Sequence, residues 1–269
     1  MTGDFSGRSV IVTGAARGIG LAIAERLVRA GASVVCADQD EARLDREVAT
    51  IREMGYEGRL QAFAGDLREK LTMTNLVAAT LEANDGIDVL VNASRILVTS
   101  DPLNPEGDRL EATLAQNVTA TLRLTQIVAR RMIEIARDEQ PGPADRAIVN
   151  LSSIHATRTA PSLLAYSVSC AAIDQLTRTL AIALAPHRIR VNAIAVGGLP
   201  GRSLAEALPG LEDLGEAIAA VTPLGRTAEP ADFVDAALFL AAPGSAYVTG
   251  QVLSVDGGRA LLDPLYARS

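Results

Sequence analysis

The sequence lacks tryptophan, and aromatic residues make up only 3% of its 269 residues. Alanine, valine, leucine and isoleucine must therefore fill the core, and the 48% of hydrophobic residues is enough for a sizeable one. Basic residues are outnumbered, 25 against 32 acidic, and no basic run is present. Because nucleic-acid phosphates are bound by clustered Lys and Arg, we expect no nucleic-acid partner.

Cysteine and histidine are also scarce, with two of each. Cys36 and Cys170 do not have the spacing of a disulfide framework, and His155 and His187 lack a second metal ligand at a suitable offset. We therefore expect no metal site. Residues 1–8 are polar, unlike a signal peptide, and no uninterrupted apolar run reaches the length of a membrane span. These features predict a cytoplasmic protein without a membrane partner.

Short apolar strands alternate with longer helical patterns along most of the chain. Such alternation, with continuously apolar strands, predicts a parallel sheet covered by helices on both faces. Strands are expected at 9–13, 33–37, 60–64, 88–91, 147–151, 189–195 and 252–255, and helices at 19–30, from 41 onward, and at 71–83, 109–137 and 163–185. We predict one domain over residues 1–269, a doubly wound, seven-stranded parallel α/β sheet of the Rossmann type.

The turn between the first strand and the first helix reads TGAARGIG. In a dinucleotide site, Gly14 permits the tight turn, Gly18 lets the backbone approach a pyrophosphate, and Gly20 lets the helix press against the sheet. The positive end of the helix, with Arg17 and Ile19 beside it, then faces the anion. Three glycines alone also fit a tight strand–helix turn, but their place after the first strand favours dinucleotide binding.

An acidic residue follows this turn at the distance that a dinucleotide site requires. Asp38 ends the second strand, 18 residues after Gly20. A carboxylate there accepts hydrogen bonds from the adenosine ribose and repels a 2′-phosphate. Arg17 alone would favour a 2′-phosphate, but Asp38 opposes it. Although Asp38 also fits a turn at a strand end, its context predicts NAD as the cofactor.

From the glycine turn onward, the chain resembles the short-chain dehydrogenase/reductase family over nearly its whole length. TGAARGIG is similar to the family's T-G-x-x-x-G-x-G turn, and IRVNAI, TPLGR and VTGQVLSVDGG resemble its C-terminal half. The resemblance implies that Asp66 and Leu67 contact the adenine, although Asp66 also fits a helix-capping role. It further implies that Asn92 lies at the cofactor site and that Asn117 belongs to a proton relay.

The same resemblance implies that Ser153 and Tyr166, 13 residues apart, are catalytic. In the family, the serine holds the substrate oxygen and the tyrosine passes a proton. A lysine four residues after the tyrosine binds the nicotinamide ribose and lowers the pKa of the tyrosine. Here that position is Cys170, which has no fixed charge. Since an unperturbed tyrosine has a pKa near 10, we expect alcohol oxidation to suffer more than carbonyl reduction.

Two further departures fall at the same, nicotinamide end of the expected cleft. The family's N-N-A-G sequence aligns with NASR, so Arg95 replaces a glycine, and residues 196–201 lose the proline and threonine of the P-G-x-x-x-T segment. Arg95 is a candidate for supplying the positive charge of the missing lysine, and His155 is a candidate for a base. Both fit ordinary loop residues as well. Cys170 fits a small core residue better than a nucleophile, and His187 fits a surface turn.

Three hypotheses follow. The first is an NAD-linked oxidoreductase that acts on a carbonyl or secondary alcohol through Tyr166, Ser153 and Asn117. The second is a nonredox isomerase, cyclase or dehydratase on the same scaffold, and the third is a noncatalytic partner subunit. Family resemblance favours the first and implies a homotetramer with a small-molecule substrate. The expected lid at 199–220 has few polar anchors and does not identify that substrate.

Overall fold

A computed structural model describes residues 4–136, 145–201, 204 and 213–262. The strands are β1 (Ser9–Thr13), β2 (Ser33–Asp38), β3 (Leu60–Ala64), β4 (Val89–Asn92), β5 (Arg146–Ser153), β6 (Ile189–Val196) and β7 (Val252–Val255). They form one parallel sheet in the order β3-β2-β1-β4-β5-β6-β7. The strand order reverses between β1 and β4, and open α/β sheets bind ligands beyond the carboxyl ends of the strands at such a switch point.

Helices cover both faces of this sheet. They are α1 (Gly18–Arg29), α2 (Glu41–Ile51), α3 (Lys70–Ala83), α4 (Leu110–Leu114), α5 (Ala120–Ile135), α6 (Leu164–Leu184), α7 (Leu214–Ala220) and α8 (Pro230–Ala241). Successive β1 residues point to opposite faces. Val10 and Val12 join the core with α1, α2 and α8, whereas Ile11 joins the core with α3, α5 and α6. The predicted doubly wound, seven-stranded fold is confirmed.

The predicted long helix at 109–137 differs from the structure in its middle. A π-helical turn, Ala115–Thr119, joins α4 to α5, and the buried Asn117 lies within it. Such turns frequently occur at functional sites. The sequence patterns also missed α7 and α8, although Pro230 at the start of α8 and the capping pair Glu229 and Asp232 are typical helix-start signals. The predicted surface loop at 138–145 lies, apart from its last residue, outside the described residues.

One helical stretch in the described part of the chain, Pro161–His187, could cross a membrane by length and composition alone. Its main part, α6, packs against β5 and β6 and buries Ile173 and Ala181. It also carries Asp174, which is 7% exposed. A single stretch of this kind is weak support for a membrane span, because the core helix of a soluble protein meets the same criterion.

Candidate active site

The glycine turn has the shape that a bound pyrophosphate requires. Gly14 has a φ of 65°, and a Cβ atom there would lie 2.7 Å from the carbonyl oxygen of Ala93. Gly18 has a φ of 60°, and a Cβ atom there would meet no other atom within 4 Å, so its backbone faces open space. α1 begins there, without a side-chain cap from Arg17 and without an acidic residue in its first turn. The first N–H groups of the helix are thus open to an anion, and the turn fits a dinucleotide.

Asp38, at the carboxyl end of β2, lines the same cleft as Arg17 and Gly18. Its carboxylate accepts hydrogen bonds from the backbone N–H groups of Ala16, at 3.1 Å, and Asp40, at 3.0 Å. The carboxylate is therefore held against the glycine turn at the carboxyl end of β2. In a dinucleotide site, the adenosine ribose binds at this position.

Asp66 follows β3, but its carboxylate is engaged elsewhere. It accepts hydrogen bonds from the backbone N–H of Arg68, at 2.9 Å, and from the guanidinium of the same residue, with a closest distance of 2.5 Å. These bonds to Arg68 lower the pKa of Asp66. Gly65 and Leu67, on either side of it, line the cleft, whereas Asp66 is not among the lining residues. Its contact with adenine stays a prediction.

The side chain of Asn92 is buried between β4 and its neighbours. Its Nδ2 atom donates to Thr125 Oγ1, at 3.0 Å, and to Asn150 Oδ1, at 2.9 Å. Asn150 in turn donates to Thr177 Oγ1, at 2.9 Å. This chain of hydrogen bonds joins two central strands to α5 and α6. Asn92 thus lies behind the cleft, where it links β4 to β5 and α5, and it is not among the residues that line the cleft.

The side chain of Asn117 is held by three hydrogen bonds. Its Oδ1 atom accepts from the N–H of Ile96, at 2.8 Å, while its Nδ2 atom donates to the carbonyl oxygen of Ile96, at 2.9 Å, and to Ser169 Oγ, at 3.0 Å. The π-helical turn therefore fixes the loop after β4 against α6. A part for Asn117 in proton transfer stays a prediction.

Ser153 and Tyr166 lie side by side in the cleft. Ser153 ends β5, and its hydroxyl donates to the carbonyl oxygen of Val196 at 3.1 Å. Tyr166 lies in the first turn of α6 and is 2% exposed. Burial raises the pKa of Tyr166 to about 12, while Arg95 and a hydrogen bond with Ser153 oppose this rise. The phenol is thus neutral at ordinary pH and suited to donate a proton.

Cys170 lies one helical turn after Tyr166 and is 4% exposed. Burial raises the pKa of its thiol to about 11, so the thiol is neutral and carries neither the charge of a lysine nor that of a nucleophilic thiolate. Lys70 is the single lysine of the sequence. It begins α3 and is not among the residues that line the cleft. The site therefore has to work without a lysine.

Arg95 is the cation nearest to the phenol among the described ring contacts. Its guanidinium carbon lies 5.9 Å from the centre of the Tyr166 ring, and its Nη1 atom donates to the carbonyl oxygen of Ser152 at 3.0 Å. Its charge lowers the pKa of both Tyr166 and Cys170, against the larger effect of burial. The arginine that replaces the expected glycine thus brings positive charge to the place where a lysine is absent.

The sequence patterns missed Arg259, which also lines the cleft. It comes shortly after the end of β7, and because the carboxyl ends of parallel strands meet at one edge of the sheet, its position was a signal that could have identified it. Of the expected lid at 199–220, residues 202–203 and 205–212 lie outside the described part. Leu199, Gly201 and Leu204 line the cleft.

Comparison with known proteins agrees with this geometry. A family model described as enoyl-(acyl carrier protein) reductase matches residues 14–260. The 3alpha-hydroxysteroid dehydrogenase of Mediterraneibacter gnavus is 32% identical over 247 residues, which cover 92% of this chain and 94% of that protein. The chain belongs to the short-chain dehydrogenase/reductase family. The family assignment made from the sequence is confirmed, and the protein is an oxidoreductase of this family.

Solved structures of short-chain dehydrogenases/reductases share the fold throughout. One from Caenorhabditis elegans, of unknown function and solved with cofactor, has a TM-score of 0.87 and 27% identity, and the match covers 99% of this chain and 100% of that one. The 3-ketoacyl-(acyl-carrier-protein) reductase from Brucella melitensis, complexed with NADH, has a TM-score of 0.82 and 28% identity, with 95% and 99% covered. These relatives support a nicotinamide cofactor for the family fold seen here.

Proposed function

We propose that the protein transfers hydride between NAD(H) and a carbonyl or secondary alcohol, despite the cysteine at the position of the family's lysine. The observation that carries this proposal is the pair of Ser153 and Tyr166 hydroxyls in the same cleft as the glycine turn. A bound nicotinamide supplies or accepts the hydride. Ser153 positions the substrate oxygen, and the neutral phenol of Tyr166 gives it a proton during reduction. Turnover of a panel of ketones and alcohols tests the proposal.

Cofactor choice gives the first prediction. We expect calorimetry to show NADH binding at least about tenfold more tightly than NADPH, a difference of about 1.4 kcal/mol, because Asp38 repels a 2′-phosphate. Asp38→Asn should weaken NADH binding and strengthen NADPH binding, since Arg17 remains nearby. Asp45→Asn, at an exposed position on α2 outside the cleft lining, is the matched control. Tighter binding of NADPH by the unchanged protein would contradict the assignment.

The direction of the reaction gives the second prediction. Because burial raises the pKa of Tyr166 to about 12, the phenolate fraction grows with pH through the whole practical range. Oxidation needs the phenolate as base, so its rate should rise about tenfold for each pH unit from 7 to 10. Reduction uses the neutral phenol and should stay level. An oxidation profile that is flat at neutral pH would show that bound cofactor or another group already ionises the phenol.

Arg95 provides the third prediction. Its guanidinium favours the phenolate, so Arg95→Gln should raise the pKa of Tyr166 further and lower oxidation at neutral pH by about tenfold for each unit of that rise. Reduction should change less. Arg95→Lys, which keeps a charge, is the control and should retain part of the oxidation rate. Equal pH profiles for the unchanged protein and Arg95→Gln would remove Arg95 from the proposal.

A nonredox reaction is the second candidate, favoured by the absence of lysine and by the position of His155. The imidazole ring lies 6.2 Å from the Tyr166 ring, and burial lowers its pKa, so a neutral base stands beside a neutral acid. Such a pair suits an isomerisation or dehydration. Failure of both cofactors to bind would favour this candidate or a noncatalytic role over hydride transfer. We further propose that the protein is a cytoplasmic homotetramer. Light scattering of the purified protein measures the mass of the assembly and so tests the tetramer.

A further inference from the structure

The end of the cleft that holds Tyr166 is lined by two arginines and a histidine. Arg95, His155 and Arg259 all face it, and Asp38 is the one acidic residue among the described residues that line the cleft. Asp38 lies at the glycine turn, at the opposite, adenosine end. Leu97, Ile154, Leu199 and Leu204 supply apolar walls between these groups. The described lining thus combines apolar walls with two guanidinium cations and one imidazole.

The Arg259 guanidinium has no hydrogen bond or close ion pair within the described ranges. Asp256, the nearest acidic residue in the chain, directs its carboxylate to the N–H groups of Gly258, at 2.9 Å, and Ala260, at 2.7 Å. Partial burial lowers the pKa of Arg259, and the charge of Asp256 opposes this shift. A guanidinium that has lost part of its water without gaining acceptors is stabilised by an incoming anion.

His155 is held beside Arg259 by contacts between two loops. Arg158, in the loop after β5, donates from its Nη2 atom to the carbonyl oxygen of Ala260, in the turn after β7. His155 Nδ1 lies 3.2 Å from the carbonyl oxygen of Arg158. Because a carbonyl oxygen can only accept, Nδ1 carries the proton, which leaves Nε2 without a partner among the residues described. Both Arg259 and Arg95 act electrostatically on His155.

We propose that Arg259 and His155 bind a carboxylate of the substrate, so that the protein acts on an oxo acid or the corresponding hydroxy acid. The inference rests on the proposed function, with the substrate carbonyl at Ser153 and Tyr166. A guanidinium fork matches the two oxygens of a carboxylate, and protonated His155 would add one further donor. Arg95 is not assigned to the carboxylate, because its guanidinium already donates to the carbonyl oxygen of Ser152 and lies against the Tyr166 ring.

A binding experiment tests this site without hydride transfer. The probes are 3-oxobutanoate, 4-oxopentanoate and 5-oxohexanoate with their methyl esters, added to the protein with and without NADH. Imidazole signals are followed by NMR against pH, and His187→Gln assigns the two histidines of the chain. The groups facing His155 are Arg95, Arg158, Tyr166 and Arg259. At least one acid should raise the pKa of His155 by about one unit, since a nearby anion favours imidazolium, and its ester should not.

Variants of Arg259 complete the test. Arg259→Gln should abolish the effect of the acid on His155, and Arg259→Lys should keep part of it. Arg123→Gln, at an exposed position on α5, is the matched control, and unchanged NADH binding shows that each variant is folded. In turnover with NADH, the preference for acid over ester should be about tenfold or more and should disappear in Arg259→Gln through KM.

The outcomes separate the two proposals. A shift of His155 that requires both the carboxylate and Arg259 supports the anion site, even if no hydride is transferred and the proposed redox function fails. Equal effects of acids and esters, or a shift that persists in Arg259→Gln, would overturn the anion site. Turnover of neutral ketones alone would then leave the redox proposal standing.

Discussion

Tyr166→Phe is expected to lower the rate of ketone reduction by about 10²- to 10⁴-fold, the usual contribution of a positioned acid. The buried phenol, whose pKa is raised to about 12, is the neutral proton donor next to Ser153. The substitution removes only the hydroxyl, so packing in the cleft and binding of NADH should not change. Single-turnover oxidation of bound NADH, followed by absorbance, measures the hydride step, and calorimetry measures cofactor binding.

Tyr247→Phe is the matched control for this experiment. Tyr247 is fully exposed, between α8 and β7, so loss of its hydroxyl should leave both measurements unchanged. His155→Gln in the Tyr166→Phe background tests for a substitute donor, because the imidazole ring lies 6.2 Å from the Tyr166 ring. Full activity of Tyr166→Phe would refute a proton-donor role, and loss of that activity in the double variant would assign the proton to His155.

The parts of the site that local pattern determines could be predicted from the sequence. Few residues other than glycine adopt the positive φ of Gly14. The apolar run at 33–37 predicts a strand, and Asp38 follows that run directly, at the carboxyl end of the strand. The sequence also predicted the short-chain dehydrogenase/reductase fold, because its motifs occur in the same order as the strands. These features depend on neighbours in the chain and on the pairing of parallel strands.

Contacts between side chains from distant loops could not be predicted in this way. The direction of Arg95 depends on the carbonyl oxygen of Ser152, which β5 supplies 57 residues later. The contribution of Arg259 requires the turn after β7 to meet the loop after β5. In each case, tertiary packing selects one orientation among several that the local sequence permits.

Cys170→Lys is expected to restore oxidation at neutral pH. A lysine one helical turn after Tyr166 lies on the same face of α6, and a cation this close to the phenol lowers its pKa by about 1 to 3 units. Each unit multiplies the phenolate fraction tenfold, so oxidation should increase by about 10- to 10³-fold. Reduction should gain less, because the phenol is already protonated. The rate of NADH formation from alcohols, and of its consumption with ketones, measures both directions.

The introduced side chain is longer than the space beside Cys170, where the cavity measures only about 10 Å³. A small cavity behind the phenol is lined by Cys170 and by polar side chains that include Asn117 and Thr121. Asn117 and Thr121 already make hydrogen bonds within the protein, so an ammonium held in this cavity meets a desolvation penalty of several kcal/mol, and rescue requires it to reach the main cleft. Cys170→Met is the matched control, since it fills the same cavity with a long side chain but no charge. Restoration by Cys170→Met would show that filling the cavity, and not the charge, accounts for the gain.

Arg95 also borders this cavity, so its effect on oxidation should be smaller when Cys170→Lys is present. In the unchanged protein, Arg95→Gly removes the cation nearest to the phenol and should slow oxidation. With Cys170→Lys present, the ammonium supplies most of the positive charge, and Arg95→Gly should slow oxidation less. The coupling is the difference between the two effects in a double-mutant cycle. Additive effects would mean that the two cations act on the phenol independently of each other. If Cys170→Lys binds NAD tightly and stays inert on every alcohol and ketone, the redox proposal fails, and a nonredox enzyme or a noncatalytic subunit remains.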